Sequence, residues 1–205
     1  MGLPATIAVV IACYLLGCVA PSWYAVKWKT GLDLRESGTG TVGSTNAGRI
    51  LGKRAYLILT LLDILKGWAA PAIATSCGLT VWWVCGAGLA VVAGHLWPAQ
   101  LKFRGGKGLS ASYGVIVFLS PWTALFMWVV MGTGWLAFRS PTLGMVQAFL
   151  GAPLLALATG ASAAVCGTVF ILAAVVALSH RRNIRDALQR RRREPPTSST
   201  ESTAA

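Results

Sequence analysis

Acidic residues are scarce in this chain: six Asp and Glu stand against eighteen Lys and Arg, with only two histidines. With so few carboxylates and no His/Cys cluster, neither a metal nor an organic cofactor is suggested. The five cysteines, Cys13, Cys18, Cys77, Cys85 and Cys166, lie scattered through apolar segments without ligand spacing. They read as small packing residues, not as a disulfide framework or a zinc site. What the chain has in excess is apolar: 55% of its residues are hydrophobic and nine are Trp. Apolar runs of roughly 17 to 24 residues, broken by Pro, Gly and charge, mark an integral membrane protein made of helices and exclude a soluble core.

Hydropathy places the spans at about 3–26, 55–77, 79–99, 107–120, 122–138, 142–159 and 162–179. The expected fold is therefore all-α and polytopic, with about seven transmembrane helices. The fourth span is the shortest. It runs into Ser120-Pro121 after about 21 Å of helical rise, so it is expected to enter from one face and pack inside the bundle. The first segment lacks a cationic leader and is long enough to span, which reads as a membrane helix in preference to a cleaved signal.

Charge placement tests this map independently. With the N-terminus outside, the inner loops receive Lys27, Lys29, Arg35, Arg49, Lys53 and Arg54, then Lys102, Arg104 and Lys107, then Arg139 and the C-terminal arginines. Only Lys66 falls inside a span, so the positive-inside rule holds and the C-terminus is cytoplasmic. A five-span map would strand Arg139 in the membrane. The excess of cations needs no nucleic acid: Arg181, Arg182, Arg185 and the run Arg190–Arg193 follow the last span directly and would meet an anionic inner leaflet. One membrane domain is expected over 1–180, followed by a basic tail over 181–205 that is disordered after Glu194.

Three polar constellations fall on the inner side of this map. Ser37-Gly38-Thr39-Gly40-Thr41-Val42-Gly43-Ser44-Thr45-Asn46-Ala47-Gly48-Arg49 combines alternating glycine with hydroxyls, an amide and a cation, which favours a binding loop over a plain connector. The second runs from Gly94-His95-Leu96-Trp97-Pro98 to Lys102-Phe103-Arg104-Gly105-Gly106-Lys107-Gly108. Glycine backbone can turn its N–H groups toward an anion, Lys107 and Arg104 add charge, and the helix that follows presents its positive end. The third, His180-Arg181-Arg182-Asn183-Ile184, lies at the exit of the last span. Within the second span, Asp63 and Lys66 stand at i and i+3, close enough to pair as a structural bridge or as part of a site.

Taken in order, these blocks resemble the membrane-embedded acyl-phosphate:glycerol-3-phosphate acyltransferases of bacteria, the PlsY type. The likeness runs from about Asp33 to Leu188 and includes Leu62-Asp63-Ile64-Leu65-Lys66-Gly67. The family's first motif is similar to Gly-Ser-Gly-Asn-x-Gly-Ala-Thr-Asn, matched here at Gly38, Gly40, Gly43, Thr45 and Asn46. Thr39 stands where that pattern has serine and Thr41 where it has asparagine. Arg49 matches, with Lys53 or Arg54 as a second cation. His95, Pro98, Phe103, Gly105, Gly106, Lys107 and Gly108 complete the second motif, and His180, Arg181, Asn183 and Ile184 the third. Thr142, within Ser140-Pro141-Thr142-Leu143, keeps a hydroxyl where a further family block carries serine.

The resemblance implies a seven-span enzyme of the bacterial cytoplasmic membrane, its active site facing the cytoplasm among membrane lipid. It would transfer a fatty acyl group from acyl phosphate to glycerol-3-phosphate, giving lysophosphatidic acid and phosphate. An acyl phosphate is already activated, so transfer demands alignment and anion stabilisation more than a strong nucleophile. Lys107, Arg49, Arg104 and the loop amides around Gly38, Gly40, Gly43, Gly105, Gly106 and Gly108 would hold the two phosphates. Thr39, Asn46, His180 and Asn183 would orient the acceptor and the developing oxyanion, with Thr41, Thr45 and Thr142 as further substrate contacts. His180 is also a candidate general base. Soluble-type acyltransferases, which pair His with Asp five positions on, are excluded, because Gln100 follows His95 and Arg185 follows His180 at that spacing. A glycerol-phosphate or phosphate transporter, and a paralogue that binds such ligands without catalysis, remain as the alternatives.

Overall fold

The computed structural model of the protein describes residues 1–193, and every regular element among them is helical. In chain order these are α1 (Leu3–Cys18), α2 (Pro21–Thr30), α3 (Ser44–Leu51), α4 (Lys53–Ser76), α5 (Val81–Leu96), α6 (Leu109–Leu119), α7 (Pro121–Phe138), α8 (Pro141–Ala158), α9 (Ala163–Ser179) and α10 (Arg181–Arg193). Short 3₁₀ turns occupy Leu34–Glu36 and Ala99–Leu101. Helices α4, α5, α7, α8 and α9 coincide with five of the expected spans to within a few residues.

The first span departs from expectation: one continuous helix over 3–26 is replaced by α1 and α2, broken at Val19-Ala20. Pro21 has no N–H, so the carbonyl of Gly17 loses its helical partner and the chain bends. Within a membrane such carbonyls must find another donor. Lys66 Nζ supplies it, donating to Gly17 O at 3.2 Å and to Val19 O at 2.8 Å, while Gln100 Nε2 donates to Cys18 O.

Lys66 is itself held by its neighbour one turn back. Asp63 Oδ1 lies 2.9 Å from Lys66 Nζ and 3.5 Å from His95 Nδ1 on α5. All three residues are buried, at 2%, 6% and 8% exposure, so the pair expected from i, i+3 spacing is the centre of a buried three-residue cluster. His95 was not foreseen in it.

Small residues bring the helices together. Gly17 of α1 lies against Val91 of α5 and Gly94 against Tyr14; Gly67 of α4 faces Ala111 of α6, and Gly134 of α7 faces Gly144 of α8. Close backbone approach through Gly and Ala is how membrane helices gain packing where lipid offers no hydrophobic drive. Outward faces carry large apolar side chains instead, for example Ile7, Ile11 and Leu15 on α1 and Leu57, Leu61 and Leu65 on α4. Both stripes follow the i, i+4 period and suit contact with lipid chains.

Among the described residues, three helical segments, Leu3–Thr30, Lys53–Ser76 and Val81–Leu101, are long and apolar enough to cross a membrane; Leu109–Leu119, Leu143–Ala158 and Ala163–Ser179 are shorter. α6 is the shortest of these, as expected, but it begins later than 107. Gly108 adopts a left-handed conformation (φ 79°) at its N-cap, and the helix stops before Ser120-Pro121. About 16 Å of helix results, against about 30 Å of hydrocarbon. Residues 181–193, expected only to be basic, form α10, and the tail expected to be disordered from Glu194 lies outside the described residues.

Removing one partner of the buried pair should cost more than removing both. Lys66→Met leaves Asp63 with His95 alone and frees two carbonyls, and it is expected to destabilise the protein by about 3 kcal/mol. Asp63→Asn with Lys66→Met should recover part of that loss. Thermal denaturation in detergent measures both, and a Lys66→Met protein as stable as wild type would show that the cluster is not a structural centre.

Candidate active site

The first polar loop is organised by one side chain. Asn46 points inward from α3 and is buried; its Nδ2 donates to Leu34 O at 3.1 Å, Ser37 O at 2.9 Å and Thr41 O at 3.1 Å, while its Oδ1 accepts from Thr39 N at 3.0 Å. The amide therefore shapes the turn that carries Thr39 and Thr41. Gly38 sits in the left-handed region (φ 60°), and a Cβ there would run into Asn46 Oδ1. Thr39, Gly40, Thr45 and Arg49 are exposed, with Thr45 and Arg49 one turn apart on the outer face of α3. The helix replaces the open loop expected after Gly43. Its N-cap is Gly43, and Ala47 inside it packs against Val26, Leu34 and Leu59.

A clasp ties this loop to the next. The Asp33 carboxylate accepts from Arg35 N at 2.9 Å, from Arg35 Nε and Nη2, and from Trp23 Nε1 at 3.1 Å. The bidentate Arg35 guanidinium holds the Asp33 carboxyl far below the usual carboxylate range. Arg35 Nη1 then reaches across to donate to Leu101 O at 3.0 Å. Beside it Val42 N donates to Gly105 O at 3.3 Å, so the two polar loops are joined at two points.

The glycine-rich loop folds back on the end of α5. Gly105 N donates to Leu96 O and Gly106 N to His95 O, each at 3.0 Å. A side chain at Gly106 would collide with the His95 ring and with Val42 O, so only glycine permits this approach. The same His95 faces Asp63 through Nδ1. The loop is thus seated directly on the buried ion cluster, and Lys107 is the next residue outward.

Lys107 is where the blocks meet. Its Nζ donates to Asn183 Oδ1 of α10 at 3.0 Å, and its pKa is lowered from the usual lysine value by burial, then by Arg182 and Arg49 nearby. No carboxylate among the described residues pairs with Lys107, Arg49 or Arg182. Arg49 and Arg182, both exposed, are near enough for their charge to act on Lys107, and with no carboxylate partner among the described residues this is an arrangement that an anionic ligand relieves. His180 caps α9 beside them and is buried. Its Nδ1 lies 2.9 Å from Val176 O, which fixes that nitrogen as the donor and leaves Nε2 as an acceptor. Burial lowers the His180 pKa, the Val176 carbonyl opposes this, and the Lys107 charge lowers it further. The ring is neutral at pH 7. A base whose folded pKa is depressed contributes stability above about pH 6.5 and loses it as pH falls through the folded value.

Of the expected set, the structure joins Thr39 and Thr41 through Asn46, ties their loop to Gly105 through Val42, and sets Lys107 beside Asn183, with Arg49 and His180 near enough for charge to act between each and Lys107. Arg104 is exposed on the rim of the glycine loop, and Gly108 serves as the N-cap of α6. The Thr142 side chain lies outside the described residues. Arg182 and the Asp33–Arg35 clasp were missed. The sequence held a signal for Arg182 in its place beside Asn183, but that residue was counted among the lipid-facing arginines. On the outer side of α4, an open apolar groove of about 420 Å³ is lined by Ile58, Leu61, Leu62, Ile64, Leu65 and Trp68, with Val117 of α6.

Comparison with known proteins identifies the family and the overall fold. A family model described as glycerol-3-phosphate acyltransferase matches residues 7–190. The glycerol-3-phosphate acyltransferase 1 of Desulfitobacterium hafniense is 38% identical over 192 residues, covering 89% of this chain and 93% of that protein. The enzyme of that name from Thermus thermophilus is 34% identical, over 88% of this chain and 90% of its own. The fold is similar to crystal structures of PlsY (YgiH), an integral membrane glycerol 3-phosphate acyltransferase. Its glycerol 3-phosphate form superposes with a TM-score of 0.83 at 35% identity, over 91% of this chain and 94% of that one. Its lysophosphatidic acid form gives a TM-score of 0.82 at 34% identity, over 91% and 93%. On sequence and on structure alike, this chain belongs to the glycerol-3-phosphate acyltransferase family of integral membrane proteins.

Proposed function

We propose that the protein transfers a fatty acyl group from acyl phosphate to glycerol-3-phosphate, forming lysophosphatidic acid and inorganic phosphate. That it is a glycerol-3-phosphate acyltransferase follows from the family; the acyl phosphate donor and the roles of individual residues are our reading. The observation that carries it is Lys107, bonded to Asn183, near His180 and under the charge of Arg49 and Arg182, with no carboxylate partner among the described residues. Two phosphorylated substrates repel each other, and only a concentrated cationic site can hold both.

In this reading the acceptor hydroxyl attacks the acyl carbonyl. The new C–O ester bond forms as the bond to phosphate breaks, and phosphate leaves with the electron pair. Lys107 and Arg49 hold the phosphates, with Arg182 and Arg104 as flanking cations. The Gly105 and Gly106 amides, expected to face an anion, donate instead to Leu96 O and His95 O, so the glycine loop serves to seat Lys107, and Gly108 starts α6. Thr39 and Asn183 donate to substrate oxygens, and Thr142 is a further hydroxyl contact. Gly38, Gly40, Gly43 and Asn46 hold the first loop in shape, with Thr45 beside Arg49 on the exposed face of α3. Two acceptors exist for the hydroxyl proton, an oxygen of the donor phosphate and His180 Nε2. The acyl chain lies in the apolar groove along α4, in contact with membrane lipid.

The same reading sets the protein in the bacterial cytoplasmic membrane with about seven spans, an outer N-terminus and the site facing the cytoplasm. Residues 1–180 form the catalytic domain and 181–205 its basic extension. Its support is the one-sided distribution of cations. Transport would require polar groups toward both openings, whereas these crowd one loop cluster.

Lys107→Ala should lower kcat/KM by one to two orders of magnitude, equivalent to about 1.5 to 3 kcal/mol, with expression retained. The assay is lysophosphatidic acid formed by purified protein from synthetic acyl phosphate and glycerol-3-phosphate. Wild-type turnover in the variant would remove Lys107 from the site, and an inactive wild-type protein would favour a binding paralogue.

Because the His180 pKa is depressed, the neutral ring should persist below pH 6.5, and protonation should cut activity only under that value. Dividing wild-type kcat/KM by that of His180→Gln at each pH cancels the titration of the substrates. A ratio that falls on acidification assigns the base role to His180; a flat ratio assigns the proton to a substrate phosphate.

Topology is checked separately. Reporters fused after Arg54, Lys107, Arg139 or the C-terminus should report cytoplasm, and those near Cys77 or Gly160 the exterior. An external C-terminus would overturn the orientation.

A further inference from the structure

The turn between Ser37 and Gly43 holds two threonines whose hydroxyl oxygens are 2.9 Å apart on its exposed face. Both backbones are fixed from the opposite side by one buried amide, since Thr39 N donates to Asn46 Oδ1 and Asn46 Nδ2 donates to Thr41 O. A β-branched side chain on a fixed backbone has few rotamers, so the hydroxyl pair is a defined feature of the loop. What the distance leaves open is which oxygen gives the proton.

A hydroxyl has one proton to give and two lone pairs. If Thr39 donated to Thr41, it would offer a substrate lone pairs alone, and in the proposed reaction the oxygens it would meet are those of anionic phosphates. If Thr41 donates, the Thr39 proton is free to point at a substrate oxygen, and the bond it accepts polarises it as a donor. We propose that Thr41 is a positioning residue, not a ligand of the phosphate: its hydroxyl donates to Thr39 Oγ1 and so turns the Thr39 proton toward the substrate. The inference rests on the reading of Thr39 as a substrate donor.

Four variants test it: Thr39→Val, Thr41→Val, Thr41→Ser and the double valine variant. Each is purified in detergent and assayed with synthetic acyl phosphate and glycerol-3-phosphate. Thr→Val is nearly isosteric, Thr41→Ser removes one methyl, Thr39 is exposed and Thr41 half-buried, so melting temperatures should stay close to the wild-type value. Thr41→Val should lower kcat/KM roughly three- to tenfold, mainly through kcat, as expected for one lost neutral hydrogen bond. Thr41→Ser should restore it to within about twofold of wild type. The double variant should be no worse than Thr39→Val alone, because Thr41 acts only through Thr39. A crippled Thr39→Val with a normal Thr41→Val would overturn the inference while leaving the Thr39 assignment standing. Losses that multiply in the double variant would mean that Thr41 touches the substrate itself. A fully active Thr39→Val would sink the inference and the Thr39 assignment together.

Discussion

The interaction on which the rest depends is the buried contact of Asp63 with Lys66 and His95, because it joins a broken helix to a ligand loop. Pro21 opens the first span and exposes carbonyls in a medium with no water to satisfy them. Lys66 satisfies two of them. An ammonium at that depth needs its own counter-charge, and Asp63 provides it within one turn of the same helix. The carboxylate also faces His95, whose carbonyl accepts from Gly106 and whose ring lies against that glycine. The bend has a second consequence. It starts α2, which brings Trp23 to Asp33 and thereby anchors the first polar loop to Leu101 through Arg35. Both loops of the proposed site thus trace back to one proline and the charges that compensate it.

Converging cations are costly to assemble, and the molecule shows how the cost is contained. Lys107 is half-buried with Arg49 and Arg182 close enough to depress its pKa, so the site favours an anion. Asn183 Oδ1 offers a dipole but no charge. A carboxylate in the same place would satisfy the lysine and compete with the phosphates. The scarcity of acidic residues has a physical use here: the buried carboxylate Asp63 is kept one layer below, spent on Lys66 and His95. For a donor that is already an activated anhydride, such a site supplies what the chemistry lacks, which is charge neutralisation and alignment.

Much of this was legible because membrane helices obey few rules. Apolar length located α4, α5, α7, α8 and α9, and the Ser120-Pro121 break explained the short α6. Asp63 and Lys66 were readable as a pair from their spacing. The bend at Val19-Ala20 was not, since hydropathy does not register a missing N–H and the donors that repair it come from residues 66 and 100. His95 was read as part of the anion motif, and only tertiary packing reveals its second contact with Asp63. Helix α3 was hidden by glycines at 43 and 48 that suggest a loop; its formation rests on Ala47 packing against Val26, Leu34 and Leu59. Arg182 was lost among other arginines, because charge counting cannot tell a residue facing Lys107 from one facing solvent.

The placement of the anion loop bears on how a soluble and a greasy substrate meet. Gly106 sits on His95, and His95 faces Asp63, ten residues into α4 and so roughly 15 Å along it from Lys53. The loop is therefore beside the middle of α4, not at its end. α6, with about 16 Å of helix, starts from that recessed level, and its brevity is what leaves room for polar backbone there. On the same turns of α4 where Asp63 and Lys66 face inward, Leu61, Leu62 and Leu65 face outward and line the apolar groove. One helix consequently separates the ionic support of the loop from a surface fit for an acyl chain by no more than its own width, about 10 Å. A phosphate head held by Lys107 and a chain lying along α4 need no transfer between distant sites, because the two environments are opposite faces of the same helical turns.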